Sequence, residues 1–124
     1  MPLANAMTTI SLTLPTTPEY RGVATLVLGG IGTRLDLPYE RMDELQLAVL
    51  SVLDAGVGPD VSLVVDSDGQ DVTVVVGPLV DGSASDRGLT TVLDRLVDAV
   101  ERMQRDGEEW LALRLTGVRS QPAS

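Results

Sequence analysis

Two valine-rich segments joined by a short polar turn limit the possible folds of this chain more than any other feature. Residues 61–66 and 71–76 are rich in valine, and the segment Ser-Asp-Gly-Gln lies between them at 67–70. A turn of this length and composition joins antiparallel strands. The sequence therefore predicts a hairpin, and with it a sheet that is at least partly antiparallel.

Alternating residues predict one further strand near each end of the chain. Residues 8–14 alternate and are rich in β-branched side chains, and residues 109–116 place Leu111, Leu113 and Leu115 on one face. Both patterns are typical of half-buried strands.

Apolar residues at spacings of three and four predict three helices. The first begins with a threonine cap at 16–17 and Pro18 in its first turn; the second covers 39–54 and ends at Gly56. The third covers 86–105 and has the most regular apolar face. The residues of that face are Leu89, Val92, Leu93, Leu96, Val97, Val100 and Met103.

The first helix is unusual because four glycines interrupt it. A glycine inside a helix costs about 1 kcal/mol relative to alanine. We therefore expect this helix to pack closely against another helix or a second subunit. The glycines are Gly22, Gly29, Gly30 and Gly32, and the predicted apolar face consists of Tyr20, Val23, Ala24, Val27, Ile31 and Leu35.

The predicted order is β-α-α-β-β-α-β, which favours an α/β (α+β) two-layer sandwich with the helices on one face of the sheet. We expect one domain over residues 8–117, with flexible tails at 1–7 and 118–124.

Trp110 is the only tryptophan. We expect it to be an anchor under a helix or at an interface, because tryptophan usually buries most of its area. An exposed stacking platform is the alternative.

Composition excludes several kinds of chemistry. The 124 residues include no Cys and no His, so thiolate metal sites, a Ser-His-Asp triad and imidazole catalysis are excluded. The net charge is −9 and there is no Lys, which argues against nucleic acid and favours a basic protein partner or simple solubility. No apolar run is long enough for a membrane span and the N-terminus does not resemble a signal peptide, so we expect a cytoplasmic protein.

Residues 18–35, which begin Pro-Glu-Tyr, and residues 37–49, which contain Asp-Glu-Leu-Gln-Leu-Ala-Val, resemble the RsbW-type anti-sigma factors. These are serine kinases of the GHKL (Bergerat, HATPase_c) superfamily. The resemblance extends over 8–116 in the order of the elements. It implies a mixed, mainly antiparallel sheet. It also implies a protein that binds a sigma factor and phosphorylates a STAS-domain antagonist with Mg-ATP.

The positions that carry this chemistry differ here. The resemblance implies a glutamate base at Ser51 and a magnesium-binding asparagine at Ala55. Serine cannot take a proton at neutral pH, and alanine cannot bind a metal. The adenine-binding aspartate is absent after the hairpin, with Asp81 as a displaced remnant, and Gly88 alone remains of the glycine pair that closes the ATP lid. We therefore expect no catalytic residue, no metal site and no cofactor.

The main functional hypothesis is a non-catalytic anti-sigma-like protein that binds a sigma factor or a STAS-domain antagonist. The resemblance places a partner-binding arginine at Thr25, and Arg21 lies one turn earlier, where it could substitute. We also expect a homodimer, formed through the first helix or the sheet edge at 8–14. Two alternatives remain: an ATP-binding kinase with a divergent site around Asp81 and Gly88, and a scaffolding partner of another GHKL protein.

Overall fold

A computed structural model describes residues 8–17, 19–68 and 70–116. The predicted tails, as well as Pro18 and Gly69, lie outside the described residues. The described elements are β1 (Thr8–Pro15), α1 (Tyr20–Arg34), α2 (Tyr39–Ala55), β2 (Val57–Ser67), β3 (Val72–Leu79), a 3₁₀ turn (Ser83–Ser85), α3 (Arg87–Leu96), β4 (Ala99–Arg105) and β5 (Glu108–Leu115).

The described strands form one five-stranded sheet in the order β1-β2-β3-β5-β4. Every neighbouring pair is antiparallel, so the expectation of a mixed sheet is wrong and the α+β class is confirmed. The predicted hairpin is present between β2 and β3. The carboxylate of Asp68 accepts hydrogen bonds from the backbone N–H groups of Gln70 (2.9 Å) and Asp71 (2.8 Å) and so stabilises the turn.

The helices cover one face of this sheet, because alternate residues of the strands and single faces of the helices share one core. The strands contribute Val61, Leu63, Val65, Val72, Val74, Val76, Leu111, Leu113 and Leu115. The helices contribute Ala24, Leu28, Ile31, Leu45, Ala48, Val49, Val52, Leu53, Leu89 and Leu93. No helix within the described ranges has both the length and the apolar character that a membrane span needs.

The prediction of one long third helix over 86–105 is wrong. The helix ends at Leu96, and residues 99–105 form the edge strand β4, paired with β5. Asp106 and Gly107 connect the two strands with φ values of 53° and 80°, the positive angles that a tight two-residue hairpin turn requires. Val92, predicted on the buried face, is 42% exposed.

The start of α1 also differs from the prediction. Neither threonine at 16–17 caps the helix: the Thr16 hydroxyl lies 3.0 Å from the Gly58 carbonyl and 2.9 Å from the Pro59 carbonyl, so it ties the segment to β2. Glu19 occupies the cap position without a side-chain cap bond. Leu28, which the prediction omitted, is almost fully buried, whereas Val23 is 43% exposed.

The glycines of α1 do not share one explanation. A Cβ on Gly32 would lie 2.2 Å from the sulfur of Met42, so α2 packs closely at that point. A Cβ on Gly29 would make an ordinary contact with Gln46 at 3.5 Å, and one on Gly22 or Gly30 would have no neighbour within 4 Å. Packing within the described chain therefore accounts for Gly32 alone.

Trp110 lies on the sheet face opposite the helices, because it alternates with the buried leucines of β5. The prediction of an anchor under a helix is therefore wrong, whereas the other predicted place, at an interface, stays a prediction. Its ring packs on Gly77, where a Cβ would lie 2.4 Å from the ring, and the Arg105 guanidinium is 5.3 Å from the ring centre. Trp110 is half-buried, so it covers the neighbouring backbone rather than standing free.

Candidate functional site

A cleft between the C-terminal half of α2 and the N-terminus of α3 brings together the positions that the resemblance singled out. Its volume is about 260 Å³. Ser51 and Ala55 line it from α2, and Gly88 lines it from α3. Asp54, Asp86, Leu89 and Val92 complete the wall. The antiparallel packing of α2 and α3 explains this meeting of residues that are distant in sequence.

The two α2 positions that the resemblance singled out offer weak chemistry. The Ser51 hydroxyl donates a hydrogen bond of 2.8 Å to the Leu47 carbonyl one turn earlier, a common local bond for serine in a helix. Ala55 presents only a methyl group. A proton acceptor and a magnesium ligand would both need an oxygen directed into the cleft, and neither side chain supplies one.

The α3 side of the cleft is closed by Asp86. Its carboxylate accepts a hydrogen bond of 2.9 Å from the N–H of Leu89 and so caps the helix. Gly88 lies next to this carboxylate, since a Cβ on it would be 3.3 Å from the Asp86 oxygen. A helix N-terminus attracts anions only while its N–H groups are free. Here Asp86 occupies one of them, and its carboxylate would repel a phosphate bound at this helix end.

Asp81 lines a second cleft of about 460 Å³, which shares Ala55 and Asp86 with the first. The loop that carries Asp81 is tied down at several points. The N–H of Val80 donates to the Gly56 carbonyl at 3.2 Å, and the Ser83 hydroxyl donates to the Ala55 carbonyl at 3.4 Å. This segment is the one that the resemblance assigns to a mobile ATP lid.

Glu109 holds the same loop from the sheet. Its two carboxylate oxygens accept hydrogen bonds from the N–H groups of Gly82 (2.8 Å) and Ala84 (3.1 Å). These bonds favour the charged form, and the one from Gly82 contributes most to holding the pKa of Glu109 below its ordinary value. The sequence analysis missed Glu109, because a glutamate in a strand gives no signal of a contact made twenty-five residues away along the chain.

The predicted partner-binding residues lie at the junction of α1 and α2. Arg21 forms an ion pair with Asp54, and the two side chains are 48% and 52% exposed. The Thr25 hydroxyl donates to the Arg21 carbonyl at 2.9 Å, and the Thr25 carbonyl accepts a bond of 2.9 Å from the Gln46 side chain. Thr25 therefore joins the two helices, whereas Arg21 remains accessible at their outer surface.

Asp98 fixes the opposite end of α2. Its Oδ2 lies 2.6 Å from an Arg41 nitrogen and 2.7 Å from the Thr116 N–H. The backbone bond from Thr116 contributes most to lowering the pKa of Asp98, and Arg41 adds to it. Among the described residues, no group of three or more acidic side chains is arranged to hold a metal ion.

The fold and the clefts define an α+β protein with a five-stranded antiparallel sheet and one helical layer. No protein-family model matches the sequence. No curated protein matches it at a significant level either.

Proposed function

We propose that this protein is a non-catalytic regulator of the anti-sigma type, which binds a sigma factor or its STAS-domain antagonist in the bacterial cytoplasm. One observation carries the proposal. The cleft between α2 and α3 offers a hydroxyl bonded to its own helix at Ser51 and a methyl group at Ala55, where a kinase needs a base and a metal ligand. From the replacement of these two groups we infer that the domain acts by binding a partner rather than by phosphoryl transfer.

The surface of the helical layer supports a role in protein binding. Leu26 on α1 is 77% exposed, and Leu47 on α2 is 49% exposed. Arg21 lies on the same layer, and arginine is common at the centre of protein interfaces because its planar group can bind a carboxylate with two bonds. Exposed leucines and an accessible arginine on the same helical layer are features typical of surfaces that a partner covers.

A kinase with a divergent site is the second candidate. It is favoured by the position of Asp81 and Gly88, which line two clefts that share Ala55 and Asp86. Against it stands the charge of Asp86 at the N-terminus of α3, because that carboxylate would repel a bound phosphate. The scaffolding role has no contact that favours it over the anti-sigma role.

A thermal-shift and calorimetric titration with ATP, ADP and Mg²⁺ separates the first two candidates. A ligand present at one hundred times its dissociation constant adds about 2.7 kcal/mol to the stability of the folded state. We expect no Mg-dependent rise in melting temperature. A clear rise would favour the kinase, and a rise that is lost in Asp81→Ala or Gly88→Val, but kept in the exposed control Asp60→Ala, would place the nucleotide in these clefts.

A further inference from the structure

The strand β4 forms one edge of the sheet, and its outer side is open. It pairs with β5 along its whole length, from Ala99 opposite Arg114 to Arg105 opposite Glu108, without a register shift. The other side of β4 has no neighbouring strand among the described residues. A strand edge of this kind presents a row of backbone N–H and C=O groups with which another extended chain can pair regularly.

A groove lies between β4 and α3 on the helical side of this edge. It consists of two cavities of about 270 and 280 Å³, which are continuous because Ala84, Ser85 and Arg102 line both. Thr90 and Asp94 form the wall on the side of α3. We call this feature the α3–β4 groove. Its residues from β4 are Val100, Arg102 and Gln104.

The geometry of α3 explains why the groove stays open. Leu89 and Leu93 of this helix are buried in the core. Thr90 and Asp94 each follow one of these leucines, so they are rotated from the buried side by about 100° around the helix axis. Both are exposed. The side of α3 that faces the groove therefore carries short polar side chains, which leave room for a further chain.

The alternation of β4 decides which of its side chains reach the groove. Arg102 points to the helical side of the sheet, because it lies opposite Leu111 of β5, which is buried in the core. Val100 and Gln104 are two residues away on either side and share this face. The groove side of β4 thus presents an apolar, a basic and a polar side chain in that order.

Arg102 gives the centre of the groove a positive charge that a second chain can use. Its guanidinium donates a hydrogen bond of 2.7 Å to the Ser85 hydroxyl. None of the ion pairs among the described residues includes it. Glu109 lines the same groove, but its two oxygens accept bonds from Gly82 and Ala84. The other N–H groups of Arg102 can therefore bind a carboxylate from another chain.

The charges of β4 determine which strand can pair with it. Charged side chains on an edge strand discourage pairing with most other strands. Opposite charges directly across two strands are favourable, whereas like charges are unfavourable. Glu101 and Arg105, on the open face, therefore favour a basic and an acidic residue, respectively. On the groove side, Arg102 favours an acidic residue, and Asp94 disfavours a second one beside Val100.

From these observations we propose that β4 and the α3–β4 groove bind an extended segment of another protein, which adds a sixth strand and places a carboxylate on Arg102. The added strand is antiparallel to β4, as is every described pair of this sheet. From Arg105 to Ala99, the complementary segment is Glu-Thr-Ile-Glu-Lys-Val-Thr. Its second glutamate meets Arg102. The surface assigned above to a sigma factor or antagonist lies on α1 and α2, so this inference does not depend on that function.

Titration of the full chain with this heptapeptide tests the proposal. Trp110 is the only tryptophan and lies opposite Met103 of β4, so a strand added to β4 should change its fluorescence. We expect saturable binding with such a change. A heptapeptide with lysine in place of the second glutamate should bind about tenfold more weakly, because it places two cations together. Absence of binding at millimolar concentration of the first heptapeptide would overturn the proposal.

An exchange of charges identifies the contact. Arg102→Glu should weaken binding of the glutamate heptapeptide by about tenfold and strengthen binding of the lysine heptapeptide. Arg34→Glu is the matched control, since Arg34 is exposed in the last turn of α1 and the net charge changes equally. It should leave both affinities unchanged. Circular dichroism checks that both variants fold. Equal effects of the two substitutions would overturn the proposal.

Sedimentation equilibrium without peptide tests the other occupant of this edge, a second copy of the chain. We expect Arg102→Glu to have the same mass as the wild type at every concentration. A mass that depends on Arg102 would show that β4 contacts another copy, and the proposal would be wrong. None of these results bears on the binding of a sigma factor or antagonist, which has its own test.

Discussion

Arg21 and Asp54 form an ion pair that joins the first turn of α1 to the last turn of α2. Both side chains are about half exposed, and an exposed pair contributes at most about 1 kcal/mol to stability. The pair is therefore a poor clamp for the fold. The pair does, however, present the Arg21 guanidinium at the outer surface of the two helices.

The first prediction asks whether this pair orients the two helices or whether Arg21 contacts the partner. Arg21→Ala should weaken binding of the sigma factor or antagonist about thirtyfold, the loss expected when an arginine is a hot spot of an interface, while leaving the circular dichroism spectrum unchanged. Asp54→Asn removes the same ion pair but keeps Arg21 free for the partner. It should leave partner affinity equal or higher. Equal losses in both variants would mean that the pair orients the helices and that Arg21 does not contact the partner.

The second prediction concerns Gly77 beneath the indole ring. Gly77→Ala should lower the free energy of unfolding by about 1–3 kcal/mol, because its Cβ would overlap the ring of Trp110. Trp110→Ala removes the ring, so Gly77→Ala should cost much less in that background. Urea denaturation followed by circular dichroism measures the double-mutant cycle. If the losses of the two single variants simply add up in the double variant, the introduced Cβ at position 77 does not clash with the Trp110 ring.

The third prediction compares two glycines of α1. Gly22→Ala should raise the free energy of unfolding by about 1 kcal/mol, because a Cβ there meets nothing and alanine is the better helix former. Gly32→Ala should give a smaller gain or a loss, since Met42 must move to make room. Urea titrations monitored by Trp110 fluorescence give both values. An equal gain in the two variants would contradict the packing of α2 against Gly32.

The sequence predicted the elements whose residues are buried in a regular pattern. α2, the β2–β3 hairpin and the leucines of β5 all show one clear periodicity, so their existence and faces followed directly. β4 was missed because an edge strand buries little and its alternation is weak. Val97, Val100 and Met103 also happen to continue the spacing of α3. In this part of the sequence, the pair Asp106-Gly107 was the stronger signal, because it is typical of a tight turn between two strands.

For the candidate site, the sequence could name some of the residues but not their contacts with distant parts of the chain. The sequence analysis singled out Ser51, Ala55 and Gly88 one by one, but the packing of α3 on α2 is what brings them into one cleft. The partners of Thr16, Arg21 and Glu109 could not be predicted, since each bonds to a residue at least 25 positions away. Such contacts depend on how the helices and loops are placed over the sheet, which periodicity does not encode.

The fourth prediction concerns acid stability. The pKa of Glu109 is lowered from its ordinary value of 4.5 by the bonds from Gly82 and Ala84. A lowered folded-state pKa means that the carboxylate stabilises the fold above pH 4.5, and that this contribution is lost as the pH falls through the folded pKa. Glu109→Gln should therefore be less stable than wild type at pH 7, and the difference should shrink in acid.

Urea denaturation between pH 3 and pH 7 checks this convergence. Glu108→Gln is the matched control, because Glu108 is the exposed neighbour in the same strand. We expect the control to follow the wild-type curve. A Glu109→Gln variant whose stability runs parallel to wild type down to pH 3 would show that the loop does not depend on the charge of Glu109.

Partner binding without nucleotide chemistry is tested by a calorimetric titration of this protein with the sigma factors and STAS-domain proteins of its own host, carried out with and without Mg-ATP. We expect at least one of them to bind with the same affinity in both conditions, because the cleft between α2 and α3 takes no part in the binding. Binding that requires Mg-ATP, or no binding by any member of the two classes, would contradict it.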